Sequence, residues 1–378
     1  MKKLILLALC FFCPIFADTP LDGITKFGWD LFPLAAKNDK NTIFSPYSVY
    51  LGMAMTAAGA QGATLAEMKK TFYLPSNLAD VAPTLTSPFS QKNLKIASSL
   101  WIAPQFPVLG AFRKMIEDDF HASVQSIDFS KPQAAVTTIN KWIAQNTDQK
   151  ITNLLSPTDL QTATRLVLTN ALYFSGKFLK PFDPKLTAAQ NFWVDDQTTV
   201  ETPTMEQTAL FSYGEDANFQ TVALPLEGTQ TALAVFLPKQ KIFSDLSSLL
   251  TSEQFQSALA RLNSQKVHVK LPKFTLQQHF DLNTLLTQLG LQTAFTSKAD
   301  FSGIDGKKDL YLSKVVHEAL FSVDENGIVA AAATAASMNV IATQGSPQEF
   351  NADHPFIFAL VDLQTKIPLF LGELNTPP

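Results

Sequence analysis

Only two cysteines occur in the 378 residues, and both, Cys10 and Cys13, fall within the first seventeen positions. A disulfide framework is therefore excluded for the rest of the chain. Cys/His metal clusters are excluded with it. The five histidines, His121, His268, His279, His317 and His354, stand apart, and none belongs to a His-Glu-x-x-His pair. The sequence also lacks a Gly-x-Ser-x-Gly elbow, a glycine-rich phosphate loop and a dinucleotide fingerprint. No enzyme motif is left, and no cofactor is implied. His317, on a strand among apolar neighbours, reads first as a satisfied core histidine. Charge is sparse and nearly balanced, 29 Lys and Arg against 33 Asp and Glu for a net of −4. Mild acidity of this kind argues against nucleic acid as a partner.

What is present begins with Met1-Lys2-Lys3 and an apolar run to Ala17, which reads as a signal peptide with cleavage expected after Ala17. Roughly 14 apolar residues are too few for a membrane anchor, and a lipid-modified Cys10 would fall too early in the run. Cleavage removes Lys2 and Lys3 but no acid, moving the formal charge from −4 to −6, and leaves no cysteine. The expected location is secreted or extracellular, or periplasmic in a bacterium, with no membrane association after cleavage. Residues 18–378 exceed the usual single-domain size. No linker, repeat or low-complexity tract divides them apart from one alanine run, so one large domain is expected.

Along the chain, a first helical stretch leads to Ser45-Pro46, a good helix start with Ser48 in the first turn. The apolar positions that follow, Leu51, Met53, Ala54, Met55 and Ala58, go nearly all round, so this helix should be buried. Leu94–Trp101 alternates as a strand, and Val108–His121 reads as an amphipathic helix. Ser130-Lys131-Pro132-Gln133 resembles a capping box opening a helix that carries Ile139, Trp142 and Ile143. The run through Asn170, Tyr173 and Phe174 to Phe178 suits a central strand buried on both faces. Further strands are expected over 202–225 and 231–238, a helix capped by Thr251 and Gln254, a strand from Lys266, a helix from Asp281-Leu282 to Gly290, and a compact loop over Ala299–Ile304.

The organising stretch is Glu318–Pro355. Leu320, Ser322 and Asp324 alternate with Phe321 and Val323 as in a strand, and Glu325-Asn326-Gly327 looks like a turn. From Ile328 to Ala342 there is no proline, glycine or charge, so nothing bars a strand. There is also almost no large side chain, and no amphipathic stripe supports a docked helix. The pattern describes an exposed loop that is able to become a strand.

This stretch resembles the hinge and reactive-centre loop of the serpins, the serine protease inhibitor family: Glu325, Gly327, two variable residues Ile328 and Val329, then Ala330, Ala331, Ala332, Ala333 and Thr334. The resemblance extends over nearly the whole chain. It implies an α+β fold of three β-sheets and about nine helices with an exposed loop at about 325–350. Ser45, Ser48 and His317 match the region that controls parting of the main sheet, with His317 hydrogen-bonded near Asn170. Phe178 stands at the breach, where the loop first enters the sheet and where the family usually has tryptophan. Ile328 replaces the usual threonine, serine or valine, and as a β-favouring apolar residue it is expected to insert.

The activity implied is suicide inhibition: a serine protease attacks the loop, and the acyl-enzyme is trapped as the cut loop joins the main sheet. The alternative within the family is a non-inhibitory carrier or chaperone. Counting from Glu325 places the scissile bond at Ile341–Ala342, with Val340 or Ala342 preceding the cut as alternatives within one or two residues. No lysine or arginine lies between Lys314 and Lys366, so the expected partner is an elastase- or subtilisin-like protease with an apolar pocket. Lys92 and Lys95 are isolated, which disfavours a glycosaminoglycan activator. A monomer is expected.

Overall fold

All nine residues of Leu166–Phe174 are buried. The strand must therefore be covered on both faces, as its β-branched and aromatic run implies. The computed structural model describes residues 19–36, 40–78, 81–86, 93–328 and 346–378, and places this strand in the middle of a seven-stranded sheet. On one side it pairs antiparallel with Leu94–Ile102, which carries Ser123–Ser126 as a parallel edge. On the other it pairs in parallel with Leu312–Asp324, His317 opposite Asn170. Phe274–Asp281 runs antiparallel along the far side of Leu312–Asp324. At the upper end Gly327–Ile328 bridges Leu312–Asp324 to Gly176–Lys177.

Because side chains alternate across a strand, this sheet separates two cores. Leu100, Leu168, Leu172, Val315, Ala319 and Phe321 face the main one. Its floor includes the helix Pro46–Ala57, all twelve residues of which are buried. Ser45 caps that helix by accepting from the Ser48 N–H, and Pro46 occupies the first turn. Ala97, Trp101, Val167, Ala171 and Val316 face the smaller core, beneath the helix Pro132–Asn146 and the segment 151–160 that follows it.

The second sheet has nine strands. Its longest, Thr199–Glu215, spans 17 residues and serves two lobes. The first part pairs with Ala188–Trp193 and the last with Phe219–Pro225, while Asn263–Pro272 runs antiparallel beside Thr204–Tyr213. One lobe continues through Thr231–Pro238, Phe356–Asp362 and Ile367–Leu374 to Thr42–Phe44; the other ends in Gln348–Asn351, parallel to Asn263–Pro272. Two of the three sheets expected from the sequence are thus lobes of one hydrogen-bonded sheet, because a single long strand passes through both.

Nine α-helices occur among the described residues, and none of these residues forms a helix long and apolar enough to cross a membrane. The helix expected over Val108–His121 is shorter, Gly110–Asp118. Ala299–Ile304 leads into a brief helical turn, Ser302–Asp305. The capping box expected at Ser130 does not form: Asp128 Oδ1 takes both the Ser130 N–H and its hydroxyl, and Lys131 becomes a cap without a side-chain bond. A local carboxylate outcompetes the helix for the serine. Residues 1–17, Ala330 to Thr334, and the bond Ile341–Ala342 with its neighbour Val340 lie outside the described residues.

Candidate functional site

The seam between Leu166–Phe174 and Leu312–Asp324 is pinned at mid-height by buried polar side chains. The Ser45 N–H donates to His317 Nε2 at 3.0 Å, so that nitrogen is an acceptor and the proton sits on Nδ1. From there it is donated to Asn170 Oδ1 at 2.8 Å. The same oxygen accepts from the Ser48 hydroxyl at 2.7 Å. The Asn170 amide NH2 donates to the Ser48 carbonyl at 2.9 Å and to Ser98 Oγ at 2.7 Å. The Ser45 hydroxyl, which caps the helix, donates to the Leu369 carbonyl at 2.6 Å. Every hydrogen-bonding position of the Asn170 amide is therefore filled. His317 is fully buried against Phe280, and burial pushes its pKa down to about 3, so the ring is neutral.

At the head of the seam the chain reverses. Asp324 Oδ1 accepts from the Asn326 N–H at 2.8 Å and the Gly327 N–H at 3.2 Å, a side-chain turn that aims Gly327 and Ile328 back along Leu312–Asp324. Gly327 has φ +149°, and a Cβ there would lie 2.1 Å from the Gly176 carbonyl oxygen, so only glycine fits. Glu325 is anchored to Lys273 Nζ at 2.8 Å and accepts from the Thr187 hydroxyl at 2.8 Å. Burial works against its charge, but those two partners hold the carboxyl below the ordinary glutamate range. The Glu325 and Asn326 carbonyls accept from the N–H groups of Phe182 and Phe178, each at 2.8 Å. Phe178 is buried, edge-on to Phe182 at 5.8 Å. Ile328 is fully buried and packs in the main core with Val323.

Ser45, Ser48, Asn170 and His317 thus meet in one hydrogen-bonded cluster, while Phe178 joins Glu325, Gly327 and Ile328 some 20 Å further along the strand, judged from its rise per residue. Sequence reasoning missed Ser98, Lys273, Thr187 and the Leu369 carbonyl, whose partners are far away in the chain. Asp324 carried a legible signal, an Asp two residues ahead of Asn-Gly. Chemically the arrangement is a closed parallel seam with a preformed chain reversal at its head. If the strands part, the bond between His317 and Asn170 is lost. Each buried group left unpaired would cost about 1–3 kcal/mol.

Residues 22–377 match the family model of the serpins, serine protease inhibitors. The leukocyte elastase inhibitor of Bos taurus is 34% identical over 372 residues, covering 93% of this chain and 98% of that protein. The crystal structure of Serpin48, a highly specific serpin of the insect Tenebrio molitor, superposes with a TM-score of 0.86 at 30% identity, covering 96% of this chain and all of the other. Human thyroxine-binding globulin complexed with thyroxine also superposes with a TM-score of 0.86, at 26% identity and 95% coverage of this chain against 98% of that one.

Proposed function

Since the chain belongs to the serpin family, we propose that it is an inhibitory member, an irreversible trap for serine proteases. One observation carries this reading: Ile328 is buried at the head of the seam, on the core face, with no other strand between Leu166–Phe174 and Leu312–Asp324. A chain continuing from Ile328 in the same register would run down that seam as a new antiparallel strand. Thr334 would arrive opposite His317, where a partner is needed for the separated side chains. Residues 330, 332, 334 and 336 would follow Ile328 onto the core face, and all are small: Ala330, Ala332, Thr334 and Ala336. No ion would be desolvated on the way.

The chemistry follows. The protease serine oxygen attacks the carbonyl of the residue before the cut, an ester forms, and the amine of the next residue leaves. Insertion of the amino-terminal piece then carries the esterified protease away before water can attack. The bond Ile341–Ala342 and the absence of lysine or arginine between Lys314 and Lys366 support a target with a small apolar pocket. The leader to Ala17 supports action outside the cell.

The test is incubation with pancreatic elastase, subtilisin and trypsin, followed by denaturing gels and mass spectrometry. The expected result is an SDS-resistant complex with elastase or subtilisin and a released fragment beginning at Ala342. Clean cutting without a complex would replace the inhibitor with the carrier reading. Efficient trapping of trypsin would overturn the apolar assignment.

A further inference from the structure

Lys314 lies low on the seam, where the strand slips register between Leu312 and Lys314. That slip turns its side chain, like those of Val167 and Val316 nearby, toward the smaller core. Its Nζ reaches two carboxylates on opposite sides. Asp281 Oδ2, at 2.8 Å, ends the outer strand Phe274–Asp281, which moves with Lys314. Asp159 Oδ1, at 3.1 Å, belongs to the segment that leads from the covering helix into Leu166–Phe174. The same Asp159 is held rigidly: its Oδ2 accepts from the Ser156 N–H at 2.8 Å and the Ser156 hydroxyl at 2.6 Å. The segment itself is tied to the helix by Asn140, which donates to the Leu155 carbonyl and accepts from its N–H. Burial disfavours both charges, yet Ser156 and Lys314 hold the Asp159 carboxyl below its ordinary range, and the two carboxylates hold Lys314 above the ordinary lysine value.

We propose that the Lys314–Asp159 ion pair is a latch across the lower seam, a catch that must open before a strand can be seated to full depth and that sets how fast this happens. It rests on the reading above that the sheet parts along this line. Neighbouring strands lie about 4.8 Å apart, so one added strand carries Lys314 away by about that much and breaks a 3.1 Å contact. The Lys314–Asp281 contact survives, because both groups lie on the same side of the gap. Continuing the pairing of Val323 with Ile328 brings Ser337 opposite Lys314, so the upper part of the loop can enter with the latch closed and the last part cannot. Arg165 with Ser313, and Tyr311 with Ala163, join the two sides at the very foot of the strands, below this point.

The test needs no protease target. A fluorescein-labelled synthetic peptide with the sequence of residues 329–341 is incubated with the intact protein, and annealing is followed by anisotropy. Asp159→Asn, whose amide oxygen can still accept from Ser156, and Lys314→Met should each anneal about three to ten times faster than the unaltered protein, the gain that a partly screened ion pair supports. The double variant should be no faster than either single one, and Asp281→Asn should match the unaltered protein. Singles at the unaltered rate, effects that multiply in the double variant, or failure of the unaltered protein to anneal would each overturn the latch. If one single variant does not fold, the other still decides. Annealing with these rates but no SDS-resistant complex would overturn the inhibitory reading and leave the latch standing.

Discussion

A histidine that accepts a backbone N–H on one ring nitrogen has no room there for a second proton. His317 is in that position with Ser45, and complete burial pushes its pKa down to about 3 from the usual 6.5. The sign is that of a depressed pKa: the stability is fully present above pH 6.5 and is lost as pH falls from there toward 3, since the unfolded chain takes up the proton first. The loss should approach about 1.4 kcal/mol per pH unit within that window. Compared with His317→Gln, the unaltered protein should therefore lose urea resistance more steeply between pH 6.5 and 4. Parallel curves for the two would show that the ring is not held neutral. That His317 is a buried, satisfied histidine was legible from its apolar neighbours. Its hydrogen bond to Asn170, 147 residues away, was available only through the family resemblance, because spacing in the chain does not encode long-range pairing. Lys273 and Thr187, the partners of Glu325, were missed for the same reason: an isolated Lys or Thr beside the end of a strand looks like solvent-facing decoration.

At the level of elements, the alternation of residues 320–324 marked the inward face correctly: Phe321 and Val323 are buried, while Leu320, Ser322 and Asp324 are partly exposed. Ile328 continues that inward set after the turn. Because period-two geometry would place Ala330 on the core face of an inserted strand, Ala330→Arg should stop insertion. Burying an unpaired guanidinium would cost several kcal/mol, so the loop should still be cut while the protease is released active. Undiminished trapping by Ala330→Arg, counted as inhibitor consumed per protease, would show that the inward register is wrong. The buried helix Pro46–Ala57 was equally legible, from its unbroken apolar surface and its Ser-Pro start. The merging of two sheets through Thr199–Glu215 was not, since local sequence shows where strands occur but not which of them share hydrogen bonds.

On the scale of the whole molecule, the closed seam joins Leu166–Phe174 and Leu312–Asp324 by one row of backbone pairs, which an inserted strand would exchange for two. The net gain is the pairing of the added strand's own N–H and C=O groups. On the inhibitory reading proposed above, the intact protein is held by a barrier more than by its depth. Nicking at Ile341–Ala342 should raise the melting temperature by tens of degrees in differential scanning calorimetry. An unchanged value would favour the carrier reading.

The second sheet determines what such a nick leaves behind. Everything after the cut includes Gln348–Asn351, Phe356–Asp362 and Ile367–Leu374, and the last two strands are buried along their entire length between Thr231–Pro238 and Thr42–Phe44. The carboxy-terminal piece is therefore a keystone of the main core, not a tail. Severing the chain makes two polypeptides but no separable parts. On the inhibitory reading the amino-terminal end would leave with the new strand while the carboxy-terminal piece stays paired in the second sheet, and the body would remain a single folded object.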